Sequence, residues 1–202
     1  MKNLTYILRL SLTLLLITAI MAAALAGVNA ITEEKIAAIT KEKTDAAIRE
    51  VLPGATYISE WRPTRSMPFP EGVSRLYDGA SRLGSCTLET FGERVGFAVE
   101  VVTSGFDGEI TMMVGVDKDG KVLGISIISH TETAGLGAVA AASSAKGQAF
   151  RSQFVGLGGE LAVTKDGGEV DAITGATITS RAVTEGVNTA LEFIGELYAR
   201  FS

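Results

Sequence analysis

The chain has 202 residues, a formal charge of −5, 47% hydrophobic side chains, 23 glycines, one cysteine (Cys86) and one histidine (His130). That suits one folded domain plus an accessory segment. It excludes an intramolecular disulfide and any multi-cysteine metal or iron–sulfur centre, and it argues against a histidine-rich metal site. Residues 1–30 carry Lys2 and Arg9 and no acid, so the acidity lies downstream; this argues against nucleic acid as a partner, because phosphate binding needs a basic surface.

The stretch LSLTLLLITAIMAAALAGV, Leu10 to Val28, holds no charge. About 20 residues at about 1.5 Å rise cross the hydrocarbon core, and a single segment in lipid pairs its own backbone only as a helix. The rival reading is a cleaved signal peptide, with Val28-Asn29-Ala30 as its small-residue cleavage site. The apolar run is longer than the roughly 7–15 residues of such a leader, so residues 1–30 are expected to be an uncleaved anchor in the lipid bilayer. Positive charge before the span and Glu33 and Glu34 after it predict a cytoplasmic N-terminus. The C-terminal domain is then extracytoplasmic, held by a single pass at the cell inner or plasma membrane.

Residues 31–54 read as a stalk helix that continues the span. Ile36, Ile39, Lys43, Ala47 and Val51 fall near one face, Thr32 is a candidate cap, and Pro53-Gly54 supplies the stop. Residues 60–90 hold Pro63, Pro68 and Pro70 and read as loop-rich, with one or two strands; Trp61 reads as a packing residue.

Three strands are expected next: VGFAVEVVTSG from Val95, EITMMVGV from Glu109 and KVLGISIIS from Lys121, the last two joined by the Asp-Gly turn of DKDG. HTETAGLG, residues 130–137, reads as a loop, and residues 138–154 as a helix with Phe150 and Phe154 inward. LAVTK and EVDAI around DGG read as a second hairpin. Residues 181–201 form a strong amphipathic helix through Val183, Val187, Leu191, Ile194 and Leu197. The fold class is therefore α+β, with an N-terminal transmembrane helix followed by a mainly antiparallel sheet packed with helices.

The stretch DAITGATITS, residues 171–180, offers hydroxyls at Thr174, Thr177, Thr179 and Ser180 around Gly175 and Ala176. Read as strand end, tight turn and helix start, it exposes the turn and presents unpaired N–H groups with partial positive charge. That seats a phosphate; plain helix capping is the alternative. No phosphate-binding Gly-x-x-x-x-Gly-Lys-Ser/Thr occurs, and GLGG at 156–159 is not placed as a dinucleotide fingerprint.

DAITGATITS resembles the flavinylation motif Asp-x-x-Ser/Thr-Gly-Ala-Thr/Ser of proteins that carry covalent FMN. The segment from Gly105 to Gly137 is similar to the body of the FMN-binding domain, whose loop reads His-x-Glu-Thr-Pro-Gly-Leu-Gly; this chain has Ala134 where that family has proline. VNAITEEKIA resembles the join between membrane helix and domain in one member. The family resembled is that of the G subunits of the Rnf complex, the ion-translocating ferredoxin:NAD oxidoreductase; the C subunits of the sodium-pumping NADH:quinone reductase are its near relatives and the alternative reading. A membrane-anchored binding or assembly module without redox function is the other alternative.

The resemblance implies an FMN-binding domain over 55–202, after an anchor over 1–30 and a stalk over 31–54. It implies FMN as a phosphoester on Thr177, flanked by Thr174, Gly175 and Ala176, with Asp171 as a motif residue. Glu132, Thr133, Gly135, Leu136 and Gly137 are implied to wrap the flavin: Glu132 and Thr133 by hydrogen bonds, Leu136 over the apolar ring face, the glycines by close backbone approach. Lys165 is a further candidate phosphate partner. No catalytic residue and no metal are implied. The implied partners are the other subunits of the membrane complex and, during maturation, a flavin transferase; the implied role is electron relay within a redox-driven ion translocase.

Overall fold

The computed structural model describes residues 2–61, 68–80 and 94–201. Cys86, the side chain of Trp61 and much of the stretch read as loop-rich lie outside the described residues. The chain divides into two units, residues 1–43 and 44–202.

In the first unit the chain is helical. Helix α1 spans Lys2–Val51, and it is the one helix among the described residues that is long and apolar enough to cross a membrane. Leu12, Ile17 and Leu25 are all exposed along it, as expected of side chains whose solvent is hydrocarbon rather than water. Thr13, Thr18 and Thr32 donate their hydroxyls to the carbonyls of Arg9, Leu14 and Val28, four residues back, which satisfies them without a partner helix. Thr32 is thus an interior residue and not a cap. Of the residues read as sharing one face, Ile36 and Ile39 are exposed.

In the second unit, burial begins at Thr44 and takes in Ala47, Ile48, Val51 and Leu52 at the end of α1. Five strands follow: β1 Tyr57–Trp61, β2 Val73–Ala80, β3 Arg94–Ser104, β4 Glu109–Asp117 and β5 Val122–His130. They form one antiparallel sheet in the order β1-β2-β3-β4-β5. The β4–β5 turn uses the Asp117 carboxylate, which accepts the N–H groups of Asp119 and Lys121 at 2.8 Å, the side-chain turn chemistry open to Asp.

Side-chain alternation sends β3 and β4 to both faces of the sheet. Phe97, Val99, Val101, Ile110, Met112 and Val114 join the larger core. Ala98 and Met113 join the smaller one, against Ala47, Ile48, Val51 and Leu52. Cover on both faces explains why β4 is apolar nearly throughout.

The larger core is closed by α2, Ala145–Ser152, and α3, Thr177–Phe201. Phe150 and Phe154 meet edge to face at 5.5 Å. The helix expected over 138–154 is split into a 3₁₀ turn, Gly137–Ala141, and α2. Ser144 caps α2 by accepting the N–H of Gly147 at 3.3 Å. Ser144→Ala is expected to cost about 1 kcal/mol in urea unfolding; an unchanged midpoint would show the cap to be idle.

The second hairpin does not form. Val163 and Val170 make a single parallel bridge, around a 3₁₀ turn at Thr164–Asp166. The side chain of Asn188 on α3 takes the place of a neighbouring strand: it accepts from the Leu161 N–H at 2.9 Å and donates to the Leu161 carbonyl at 2.8 Å.

Candidate functional site

The motif Asp171–Ser180 is a loop, a tight turn and the first turn of α3. Asp171–Ile173 pair with no strand, contrary to the expected strand end. They are held instead by Gln153, which accepts the Asp171 N–H at 2.8 Å and donates to its carbonyl at 3.3 Å. The chain reverses at Thr174-Gly175, where the Ala176 N–H bonds the Ile173 carbonyl at 2.9 Å. Gly175 has φ 81°, which only glycine adopts freely.

Helix α3 opens at Thr177, and its first N–H groups have no intrahelical partner. The motif's hydroxyls divide sharply in access. Ser180 is fully buried, donating to the Ala176 carbonyl at 2.9 Å and accepting the Ile173 N–H at 3.0 Å. Thr179 is buried too. Thr174 is exposed, and Thr177 is half-buried at the rim of a cavity.

Lys165 reaches this rim from the turn Thr164–Asp166 and donates its Nζ to Thr177 Oγ1 at 2.9 Å. The turn is tied to α3 by Arg181, whose Nε and Nη2 bond the Asp166 carboxylate at 2.6 Å each. That pair fixes geometry more than stability, since both side chains are solvated. The guanidinium holds the Asp166 carboxyl below its ordinary value and neutralises it, so Lys165 remains the cation facing Thr177.

The cavity measures about 330 Å³, inside the range of small-molecule sites. Phe106, Leu136 and Ile178 give it an apolar mouth, all three well exposed. Glu132, Thr133, Gly137, Gly175 and Ala176 also line it. Gly135 and Thr174 open instead onto a neighbouring cavity of about 530 Å³, which Asp171 also lines. Lys165 therefore joins the expected residues at the site, and Phe106 and Ile178 are additions; an exposed phenylalanine in a hairpin loop was the signal available for the first.

Glu132 is 7% exposed and is not a solvated loop acid. Its Oε1 accepts the N–H groups of Phe106 at 2.7 Å and Asp107 at 3.1 Å, and its Oε2 accepts the Thr179 hydroxyl at 2.5 Å. A Cβ on Gly137 would stand 2.2 Å from Oε2, and one on Gly105 2.2 Å from Oε1; the carboxylate sits in a cradle that only glycines leave open. Burial pushes its pKa up, but the bonds from Thr179, Asp107 and Phe106 and the nearness of His130 outweigh it, so the net direction is down.

A folded pKa below the unfolded one gives stability that is present above the unfolded value, about 4.3. That stability is lost as pH falls through the folded value. Glu132→Gln is accordingly expected to flatten the acid limb of the urea-midpoint profile below about pH 5; an unaltered limb would place the charge outside the folding balance.

Residues 105–192 match the family described as the FMN-binding domain. The G subunit of the Na⁺-translocating ferredoxin:NAD⁺ oxidoreductase complex of Acetobacterium woodii is 37% identical, over 91% of this chain and 89% of its own. The G subunits of the ion-translocating oxidoreductase complexes of Stutzerimonas stutzeri (33%; 91% and 78%) and Methanosarcina acetivorans (32%; 90% and 91%) align over similar spans. The chain belongs to the family of G subunits of ion-translocating oxidoreductase complexes. Its fold is shared by NqrC of Shewanella oneidensis, with a TM-score of 0.53 at 18% identity over 79% of this chain and 99% of that one.

Proposed function

We propose that the protein is an electron-transfer subunit of a membrane-bound ion-translocating ferredoxin:NAD oxidoreductase complex, with FMN joined through its phosphate to Thr177. The observation that carries this reading is the setting of Thr177: an accessible hydroxyl at the start of α3 with Lys165 Nζ 2.9 Å away, while Thr179 and Ser180 are sealed in the core. A phosphodiester there keeps one negative charge, which the helix start and the lysine stabilise.

The residues present fit the group. Thr177, Lys165 and the first N–H groups of α3 suit the phosphate; Leu136 and Ile178 suit an apolar ring face; Thr133 offers a hydroxyl. Glu132, with both oxygens engaged, shapes the site from behind. When bound, the flavin supplies the redox chemistry, and the protein supplies placement and tuning. Among the described residues the side chain bonded to Thr177 Oγ1 is Lys165, which donates to it rather than taking its proton; this accords with a separate flavin transferase that uses the exposed Asp171 as a recognition mark.

Residues 1–30 are the bilayer anchor, 31–54 a linking helix and 55–202 the flavin-bearing domain, held outside the cytoplasm against the other subunits of the complex. A tethered cofactor is retained there at fixed stoichiometry, where a free one diffuses away. Ion coupling lies in other subunits, because Leu10–Val28 bring no ionisable group into the membrane.

The test uses the full chain made in cells with and without a flavin transferase. The expected result is an ultraviolet-fluorescent band on a denaturing gel, and an intact mass raised by one FMN unit, only when the transferase is present. A dark band and an unmodified mass in its presence would leave the anchored binding module as the reading.

A further inference from the structure

We propose that Phe106 is a stacking partner of the flavin ring and that Glu132 is the positioning residue that holds it there; this rests on attachment at Thr177. Phe106 stands at the tip between β3 and β4 and is 66% exposed. Apolar rings that project from hairpin tips are usually free to swing, because loop backbone is mobile. Here the backbone that carries the ring is restrained. The N–H of Phe106, and that of Asp107, are held by Glu132 Oε1, and Thr131 Oγ1 donates to the Asp107 carbonyl at 3.0 Å.

A charge is unfavourable to bury and is retained only where hydrogen bonds offset the desolvation. Glu132 gives its second oxygen to Thr179, in the same turn of α3 that begins with Thr177. One carboxylate thus fixes two things at once: the helix turn that carries the acceptor, and the loop that carries the aromatic ring. Both line one cavity. A ring system tethered at Thr177 finds in that cavity one aromatic side chain among the described residues, Phe106, with Leu136 and Ile178 around it. Offset stacking and apolar contact make such a ring the natural cover for a flat heteroaromatic group.

Both oxygens of Glu132 are taken up by Phe106, Asp107 and Thr179; its role is to set the position of the side chain that covers the flavin. The distinction is experimental. The full chain, co-expressed with its flavin transferase and held in detergent, is read for covalent flavin content, flavin emission and quenching by iodide. Phe106→Ala is expected to leave flavin content unchanged and to raise the iodide quenching constant several-fold. Phe106→Trp is expected to lower flavin emission several-fold, because indole quenches a stacked flavin.

Glu132→Ala is expected to raise iodide access as Phe106→Ala does, with no further rise in the double variant. Glu132→Gln, whose amide still accepts the two N–H groups, is expected to restore wild-type access. Normal flavin content with unaltered emission and quenching in both Phe106 variants would overturn the assignment and leave attachment at Thr177 standing. Additive effects of Glu132→Ala and Phe106→Ala would overturn the positioning role of Glu132. Wild-type protein without covalent flavin would instead remove the reading on which the proposal rests.

Discussion

Thr177→Ala is expected to remove covalent flavin completely, from about one per chain to none, while the domain stays folded. The two halves of that expectation have separate physical grounds. Attachment needs a hydroxyl that a transferase can approach, and the nearby alternatives are closed: Thr179 is 1% exposed and bonded to Glu132, and Ser180 is 0% exposed and bonded on both sides. Thr174 is exposed, but it opens onto the neighbouring cavity and not the one that Lys165 and Thr177 share.

Stability is nearly indifferent to the change, because among the described residues Thr177 Oγ1 is bonded only to an exposed lysine. Its loss falls in the range of about 0.5 kcal/mol typical of surface positions. Gel fluorescence, intact mass and far-ultraviolet circular dichroism on one preparation decide the matter. Flavin retained on the alanine variant, or peptide mapping that finds it on Thr174, would move the site; Thr177→Ser should keep it.

The second large effect is on stability, at Gly115→Ala. Gly115 lies in the middle of β4, opposite Gly124 of β5, and a Cβ built on it would stand 2.1 Å from the Val51 carbonyl oxygen at the end of α1. The obstacle is main chain, so no side-chain rotation relieves it. Either the last turn of α1 lifts from the sheet, opening the core of Ile48, Leu52 and Met113, or β4 bends. Overpacking of this kind costs about 3 kcal/mol, a fall in Tm of roughly 6–12 °C for a domain of this size. Gly124→Ala is the control, since its Cβ would lie 3.4 Å from Val51 Cα, an ordinary contact. Equal Tm values for the two variants would mean that α1 does not pack there.

The same position shows where the sequence was legible. The strands around Gly115 follow from Val and Ile at alternating positions and from the Asp-Gly turn, and β3, β4 and β5 form within a residue or two of expectation. Helix α3 follows from its repeat of apolar residues. The two glycines at 115 and 124 mark a close backbone approach, but nothing local says that the approaching chain is Val51, more than sixty positions away.

The misread segments share that cause. LAVTK and EVDAI have strand composition, yet Asn188 supplies the hydrogen bonds of the missing strand, and a lone asparagine in an amphipathic helix carries no mark of that role. The helix expected at 138–154 divides ahead of the Ser144 cap, and Arg151 turns back to donate to the carbonyls of Ala140 and Ala142 at 2.7 and 3.1 Å. Two stretches singled out by the sequence do meet: Glu132, Thr133, Leu136 and Gly137 line one cavity with Gly175, Ala176 and Thr177, whereas Gly135, Asp171 and Thr174 fall on the neighbouring one. The inward turn of Glu132 was not legible, because its partners Phe106, Asp107 and Thr179 come from two distant stretches.

The strand order carries a kinetic consequence. Among the described residues each strand pairs with its neighbours in the chain, so the sheet needs no crossover and each pairing closes at modest entropic cost. The bond from Thr179 to Glu132 spans 47 residues and forms only after α3 has docked. The sheet can therefore assemble early, while Thr177 reaches its final surroundings among the last parts of the chain to settle. On the attachment proposed above, a modifying enzyme that recognises those surroundings would act on finished molecules and pass over those still in the making.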